Sequence, residues 1–262
     1  MFSWPVYLHG LMAMLAFGFA GWLVSVAKRN VTLVDSMWSL FFLLAACVYA
    51  LSVAGSLAEL APRAMMVLSL VTLWSLRLAT YLTWRNWSPH EDHRYQAIRK
   101  NNEPHFWLKS IYIVFGLQAM LAWIISLPLL GAINSMQSLT WLDYVGAALW
   151  LLGFVWESTG DWQLASFKAK PENKGKVMDK GLWRYSRHPN YFGEFCIWWG
   201  YFLIALGAGA WWSLLAPALM TLLLLKVSGV ALLEKDIGDR RPGYKDYVAR
   251  TNAFFPGKPK AS

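Results

Sequence analysis

A few ionisable residues lie inside or at the ends of long apolar stretches, and they mark where chemistry would be done. They are Asp35, Arg77, Glu157, Asp161, Glu194, Lys226 and Glu234. An ionised side chain at a bilayer centre costs about 3 kcal/mol, so each needs a partner, water or a ligand. Arg77, Tyr81 and Arg85 follow i, i+4, i+8 spacing, which sets a phenol between two guanidiniums on one helix face. Such a stripe suits water or an anionic ligand. Glu157 and Asp161 are also four apart. Like charges at that spacing repel unless something donates to them; ribose hydroxyls, an amide or a guanidinium would serve. Asp35, in Val-Thr-Leu-Val-Asp-Ser-Met-Trp-Ser, heads an apolar run and suits either a helix cap or a functional acid. Lys226, near the end of its run, has a stem long enough to snorkel.

The densest mixture of polar types runs from Asp161 to Glu194. Lys168, Lys174 and Lys176 precede Tyr185, Arg187, His188, Pro189, Asn190 and Tyr191. Lysines beside Gly175, followed by a helix start at Pro189-Asn190, are the parts of a phosphate site, with helix N–H groups adding donors. The same cations would also suit a layer of anionic headgroups. Other chemistries fail on pattern. No Gly-x-Gly-x-x-Gly follows a strand pattern, and no Walker loop occurs, which excludes a soluble nucleotide fold. His90-Glu91-Asp92-His93 has a metal-like composition but no second cluster at ligand spacing, so it reads as a polar loop and no metal is expected. No nucleophile elbow supports Ser-His-Asp catalysis.

The elements that must position these residues are membrane helices. Of 262 residues 57% are hydrophobic and 15% charged, with 17 Trp; globular chains are roughly a quarter charged. Disorder and a disulfide scaffold are both excluded, since Cys47 and Cys196 lie in apolar runs. Spans are expected near 5–27, 36–54, 64–84, 106–130, 141–160, 191–209 and 211–233. The expected fold is therefore an all-α integral membrane protein: one transmembrane domain over 1–262, a bundle of about seven helices with cytosolic loops capping a cofactor pocket. No linker, low-complexity tract or repeat period divides it. Residues 1–8 lack a positive n-region, so the first span is expected to be retained.

Charge orients the bundle. Lysines and arginines gather at 28–29, in the connections 85–105 and 161–190, and after 233, while the other connections offer Arg63 alone. The positive-inside rule then places the N-terminus outside and the C-terminus in the cytoplasm. The net charge of +9 becomes topological, and nucleic acid drops out as a partner. Connections of that length carry function or disorder, and their Trp, Tyr, His and paired charges favour ordered function facing the cytoplasm.

The segment Gly181-Leu-Trp-Arg-Tyr-Ser-Arg-His-Pro-Asn-Tyr-Phe-Gly-Glu194, followed by Trp198-Trp-Gly-Tyr201, resembles the C-terminal signature of the membrane steroid 5α-reductase family. Sterol reductases and isoprenylcysteine carboxyl methyltransferases carry similar stretches. Asp-x-x-Trp-Ser at Asp35–Ser39 and Glu-Asp-x-Arg-Tyr at Glu91–Tyr95 are similar to elements of bacterial members. The resemblance implies NADPH bound from the cytosol and reduction of the double bond of a 3-oxo-4-ene steroid or similar enone lipid.

It further implies that Arg77, Tyr81, Arg85, Glu157, Asp161, Lys168, Lys176, Asn190 and Glu194 belong to the cofactor site, with Lys176 near the 2′-phosphate and Glu194 near the nicotinamide; Lys174, Tyr185, Arg187, His188 and Tyr191 of the same polar segment are counted with them. Asp35 is the candidate acid by spacing, and Tyr95 is the phenol available to polarise a carbonyl. Trp74 stands where a family tyrosine is expected. In the tail the family His and Tyr contacts are not reproduced, and Glu234-Lys235-Asp236 takes their place. Glu234, counted with the cofactor site, together with Tyr244 and Tyr247 is similar to the methyltransferases, so an S-adenosylmethionine-dependent enzyme acting on a lipid or prenylated thiol is the alternative. Either way the expected protein is a monomer among membrane lipids, integral to the membrane (the inner membrane if the source is a bacterium), with its cofactor site facing the cytoplasm.

Overall fold

The computed structural model describes residues 2–54, 56–88, 90–227 and 243–260. Among them every regular element is helical. Four helices are long and apolar enough to cross a membrane: α1 (Trp4–Lys28), α2 (Leu33–Val53), α3 (Pro62–Arg85) and α5 (Phe106–Ile125). The short α4 (His93–Asn101) lies between the third and fourth, and α6 (Leu127–Ile133) follows them. The helices at the fifth and sixth expected spans are α7 (Trp141–Lys168) and α8 (Pro189–Gly207). They fall short of the apolarity of the first four because Asp143, Glu157 and Asp161 dilute one and Asn190 and Glu194 the other. The shorter apolar α9 covers Trp211–Val227, and its expected continuation to 233 lies outside the described residues. A seven-residue helix, α10 (Tyr244–Arg250), sits in the tail before the final residues. Seven spans are thus an expectation of which four are established by length and composition.

The chain forms two compact units, Met1–Thr140 with Ala205–Ser213, and Trp141–Ile204 with Leu214–Ser262. In the first, α1 buries Tyr7, Gly10, Met14, Gly18, Gly21 and Ser25, a face repeating every three or four residues. Leu8, Met12, Leu15, Phe19 and Leu23 are exposed on the rest of the helix, as a lipid-facing side requires. Van der Waals packing and interhelical hydrogen bonds hold membrane helices together, because apolar contact gains little over lipid. The crossings show both. Ser39 Oγ donates to the Ser75 carbonyl at 2.9 Å and Ser75 Oγ returns the bond to the Ser39 carbonyl at 2.8 Å, pinning α2 to α3. Tyr7 and Trp123 exchange bonds to each other's carbonyls and stack at 4.2 Å. Arg63 is fully buried. It donates to Ser135 Oγ and to the carbonyls of Gln137 and Ser138, closing the turn before α7.

In the second unit α7 and α8 meet along glycines. Gly146, Gly153 and Gly160 recur every seven residues in α7, as do Gly193 and Gly200 in α8. A Cβ on Gly153 would lie 2.5 Å from the Gly193 carbonyl oxygen, and one on Gly200 would lie 2.7 Å from that of Gly146. The two backbones touch. A seven-residue repeat keeps one stripe facing a partner helix, and small side chains permit the close approach. Helix α7 also runs two turns past its expected end, carrying Asp161 and Lys168 on the helix instead of in a loop.

Candidate functional site

The strongest polar cluster of the first unit is built at the head of α2. Asp35 occupies the first turn, where the helix dipole favours an anion, yet its carboxylate does not cap its own helix. Tyr95 Oη donates to Oδ1 at 2.6 Å, Arg94 Nη2 to Oδ2 at 2.7 Å and Asn86 Nδ2 to Oδ2 at 3.3 Å. Arg85 Nη2 stands 3.9 Å from Oδ2. The two residues singled out as catalytic candidates, sixty positions apart, are therefore in direct contact. Asp35 is an acceptor held by several donors, and the Tyr95 hydroxyl is the group that carries a proton. Burial raises the Tyr95 phenol well above its ordinary value, and the charge and hydrogen bond of Asp35 add to the rise, with Arg94 and Gln118 partly opposing. It stays a neutral donor across the neutral range. For Arg94, burial lowers and the Asp35 charge raises, with a net rise.

What brings Tyr95 to Asp35 is the docking of the 85–105 connection onto the turn before α2. Asp92 caps α4 by accepting from the Arg94 amide at 2.9 Å. Its own amide donates to Thr32 Oγ1 at 2.9 Å, and the Val31 amide donates to Glu91 Oε1 at 2.9 Å. Arg99 adds two bonds of 2.9 Å to the Glu91 carboxylate. Burial pushes Glu91 upward, but the Arg99 bond, the Val31 amide and the Arg99 charge bring it below the usual carboxylate range. Asp92 follows the same logic, burial being outweighed by the Arg94 side chain, amide and charge. The His90–His93 stretch is thus a docking loop. Arg94 sat inside the Glu-Asp-x-Arg-Tyr element and was not a predicted site residue; its position beside Tyr95 in a conspicuous motif was the available signal.

The Arg77–Tyr81 stripe falls on an open groove of about 1010 Å³ along α3. Leu68, Thr72, Leu73 and Leu76 line one end and Arg77, Tyr81 and Trp84 the other. The seventeen residues from Leu68 to Trp84 give it a length of about 24 Å. Arg85 lies 5.8 Å above the Tyr81 ring and extends toward Asp35, joining stripe to cluster. Trp74 is fully buried against Phe42 instead of facing the groove.

In the second unit Glu157, Asp161 and Glu194 are all buried. Glu157 stands one turn beyond Gly153, and a Cβ on Gly193 would come within 2.6 Å of its Cβ. The expected helix start at Pro189 is observed, with Asn190 half-buried in its first turn. His188 is buried and stacks on Tyr191 at 5.5 Å. Lys174 and Lys176 are exposed and line a cleft of about 640 Å³ with Asp179, Asp246 and Arg250. Lys168 closes α7. Glu234 lies outside the described residues.

The tail clamps this motif in a way the sequence did not suggest. Arg187 Nη1 donates to the carbonyls of Thr251 at 2.6 Å and Val248 at 3.2 Å, satisfying the end of α10. Tyr247 Oη donates to the Trp183 carbonyl, Ser186 Oγ to that of Phe254, and the Gly257 amide to that of Tyr185. The Tyr185 side chain remains exposed. Tyr247, read as methyltransferase-like, has its hydroxyl in a structural bond.

Residues 21–251 match the family described as a protein of unknown function, DUF1295, and the chain belongs to that family. An uncharacterized protein of Schizosaccharomyces pombe is 28% identical over 284 aligned positions, which cover 95% of this chain and 79% of the relative. No solved structure matches the chain.

Proposed function

We propose that this chain is a membrane reductase of the steroid 5α-reductase kind, acting with NADPH on the carbon–carbon double bond of an enone lipid. The observation that carries the reading is the buried, proton-bearing Tyr95 held on Asp35 at 2.6 Å beside Arg94. Reducing an enone by hydride builds negative charge on the carbonyl oxygen, so the site needs a neutral donor there and a cation close by. Tyr95 becomes that donor when its single O–H turns from Asp35 to the substrate carbonyl, leaving Asp35 with Arg94 and Asn86 as donors. Asp35 positions it, and Arg94 balances the charge that appears when the phenol gives up its proton. The enol then returns its proton to the Tyr95 phenolate as the α-carbon takes one from water, so the net addition is one hydride and one proton.

The residues present suit the dinucleotide. Lys174 and Lys176 beside a cleft supply cations for phosphate, and the carboxylates and Asn190 offer partners for hydroxyls and carboxamide. Bound NADPH would supply the hydride. The α3 groove is apolar at one end and cationic at the other, matching a flat hydrophobic body with a polar tip, and the bilayer is its source. Steroid is one such body among polycyclic and isoprenoid enones.

An S-adenosylmethionine-dependent methyltransferase would have no phosphate for the two lysines and no need of a protonated phenol. Calorimetry on purified protein with NADPH, NADH and S-adenosylmethionine separates the two. NADPH should bind in preference to NADH, and Lys176→Ala should reduce that preference roughly tenfold, the loss of one charge-assisted hydrogen bond. With a 3-oxo-4-ene steroid present, nicotinamide absorbance should fall and the product gain two hydrogens. Binding of S-adenosylmethionine alone would overturn the proposal.

A further inference from the structure

The charged end of α1 holds a cleft of about 590 Å³ that neither the Asp35 cluster nor the α3 groove uses. It lies where α1 ends and α5 begins. Val26, Phe106 and Trp107 provide apolar wall, while Arg29, Arg99 and Glu103 provide charge. Trp22 donates its indole N–H to the Trp107 carbonyl at 2.8 Å, and the two rings stack at 6.5 Å. Paired tryptophans at a span end mark the level of the membrane–water interface.

Arg29 breaks a local rule. The Asn30 amide donates to the Ser25 carbonyl at 3.0 Å and the Arg29 amide to that of Val26 at 3.2 Å, a Schellman ending. Its left-handed residue is ordinarily glycine, because an L side chain is crowded there. Here that residue is Arg29, at φ 51° and ψ 34°. Strain of this kind persists where the side chain is wanted. The Arg29 guanidinium makes no hydrogen bond or ion pair among the described residues. Arg99 differs, being neutralised by Glu91 and resting 4.4 Å over the Phe106 ring. The Glu103 carboxylate makes no hydrogen bond among the described residues and meets Arg99 through charge alone. Among the described residues the cleft therefore offers a guanidinium with no hydrogen bond or ion pair and a carboxylate with no hydrogen bond, above an apolar wall.

We propose that this cleft seats the phosphoethanolamine headgroup of a membrane phospholipid, with its phosphate on Arg29, its ammonium on Glu103 and its glycerol and acyl carbons against Val26 and Trp107. A quaternary ammonium has no N–H to give Glu103, and a purely anionic headgroup would face Glu103 without relief. Discrimination against both phosphatidylcholine and phosphatidylglycerol follows.

The test uses the full chain in detergent, with native mass spectrometry reading retention of added phosphatidylethanolamine, phosphatidylcholine and phosphatidylglycerol. Phosphatidylethanolamine should be retained about fivefold over either competitor, as charge-assisted hydrogen bonds at a wet interface allow. Arg29→Gly should bring its retention down to the phosphatidylcholine level while the thermal midpoint holds or rises, since glycine relieves the left-handed strain. Opposite movement of binding and stability is what a merely structural arginine would not give. Glu103→Gln should erase the preference over phosphatidylglycerol. Equal retention of the three lipids, or a preference that survives both substitutions, overturns the assignment. So does stronger retention of phosphatidylglycerol by the unsubstituted chain. Soluble glycerophosphoethanolamine that displaces the lipid at equal concentration would overturn a membrane lipid as the source.

Discussion

The Asp35 cluster and the α7–α8 seam both bury carboxylates, but they do so by opposite means. Around Asp35, long side chains from the 85–105 connection reach in, and Tyr95, Arg94 and Asn86 supply the donors. Along the seam the backbones touch, and Glu157 is placed by the absence of side chains at Gly153 and Gly193. A cluster made of side chains can lose one bond and relax. A seam made of backbone contacts has nowhere to move. Function that needs a moving proton belongs in the first setting, and function that needs a fixed ligand frame belongs in the second.

The largest expected effect tests the rigidity of the seam. Gly153→Leu puts a side chain where a Cβ alone would lie 2.5 Å from the Gly193 carbonyl. Overpacking of that kind should cost about 3 kcal/mol or more, read as loss of folded protein in detergent. A tolerated leucine would show that the two helices can part.

Next comes Asp35→Asn, which leaves Arg94 and the Tyr95 hydroxyl without their charged acceptor. The pair is partly buried, so the cost should be about 2 kcal/mol. Hydrogen exchange should locate it in α4, whose amides lose protection while α7 and α8 keep theirs. Equal change in both regions would break the contrast.

A smaller effect is expected at the tail clamp. Arg187→Ala removes two bonds to the end of α10 and should cost about 1 kcal/mol. Limited proteolysis after residue 243 should report it.

The smallest is a pH effect on the docking loop. Glu91 and Asp92 are held below the usual carboxylate range, so their stabilisation is complete above the unfolded values of about 4. It fades as pH falls through the lowered ones. Protection of α4 should stay level down to about pH 5 and decline below about pH 4. A decline between pH 6 and 8 would point to histidine instead.

Asp35, Arg77 and Tyr95 were legible because charge is scarce in apolar stretches and motif residues stand out there. That Asp35 and Tyr95 touch was not legible. It depends on backbone amides of Val31 and Asp92 meeting Glu91 and Thr32 across sixty residues, and pattern carries no such information. Arg94 was hidden in plain view, its charge counted only toward topology. The first four spans follow from apolarity, and helices were expected as well over 141–160 and 191–209, where α7 and α8 lie, although Glu157, Asp161 and Glu194 make those two less apolar. Their seven-residue glycine spacing is too short a run, three glycines in one helix and two in the other, to stand out as a repeat in the sequence. The clamp of Arg187 on α10 rests on carbonyls, which leave no mark in a sequence.

Single-turnover oxidation of NADPH by the full chain with a 3-oxo-4-ene steroid, compared with Tyr95→Phe, tests the central claim most directly. The unsubstituted protein should consume NADPH in step with product. The Tyr95→Phe protein should bind NADPH with unchanged affinity and turn over about a hundredfold more slowly, the size of one general acid. NADPH that fails to bind, or turnover indifferent to the loss of the phenol, would contradict it.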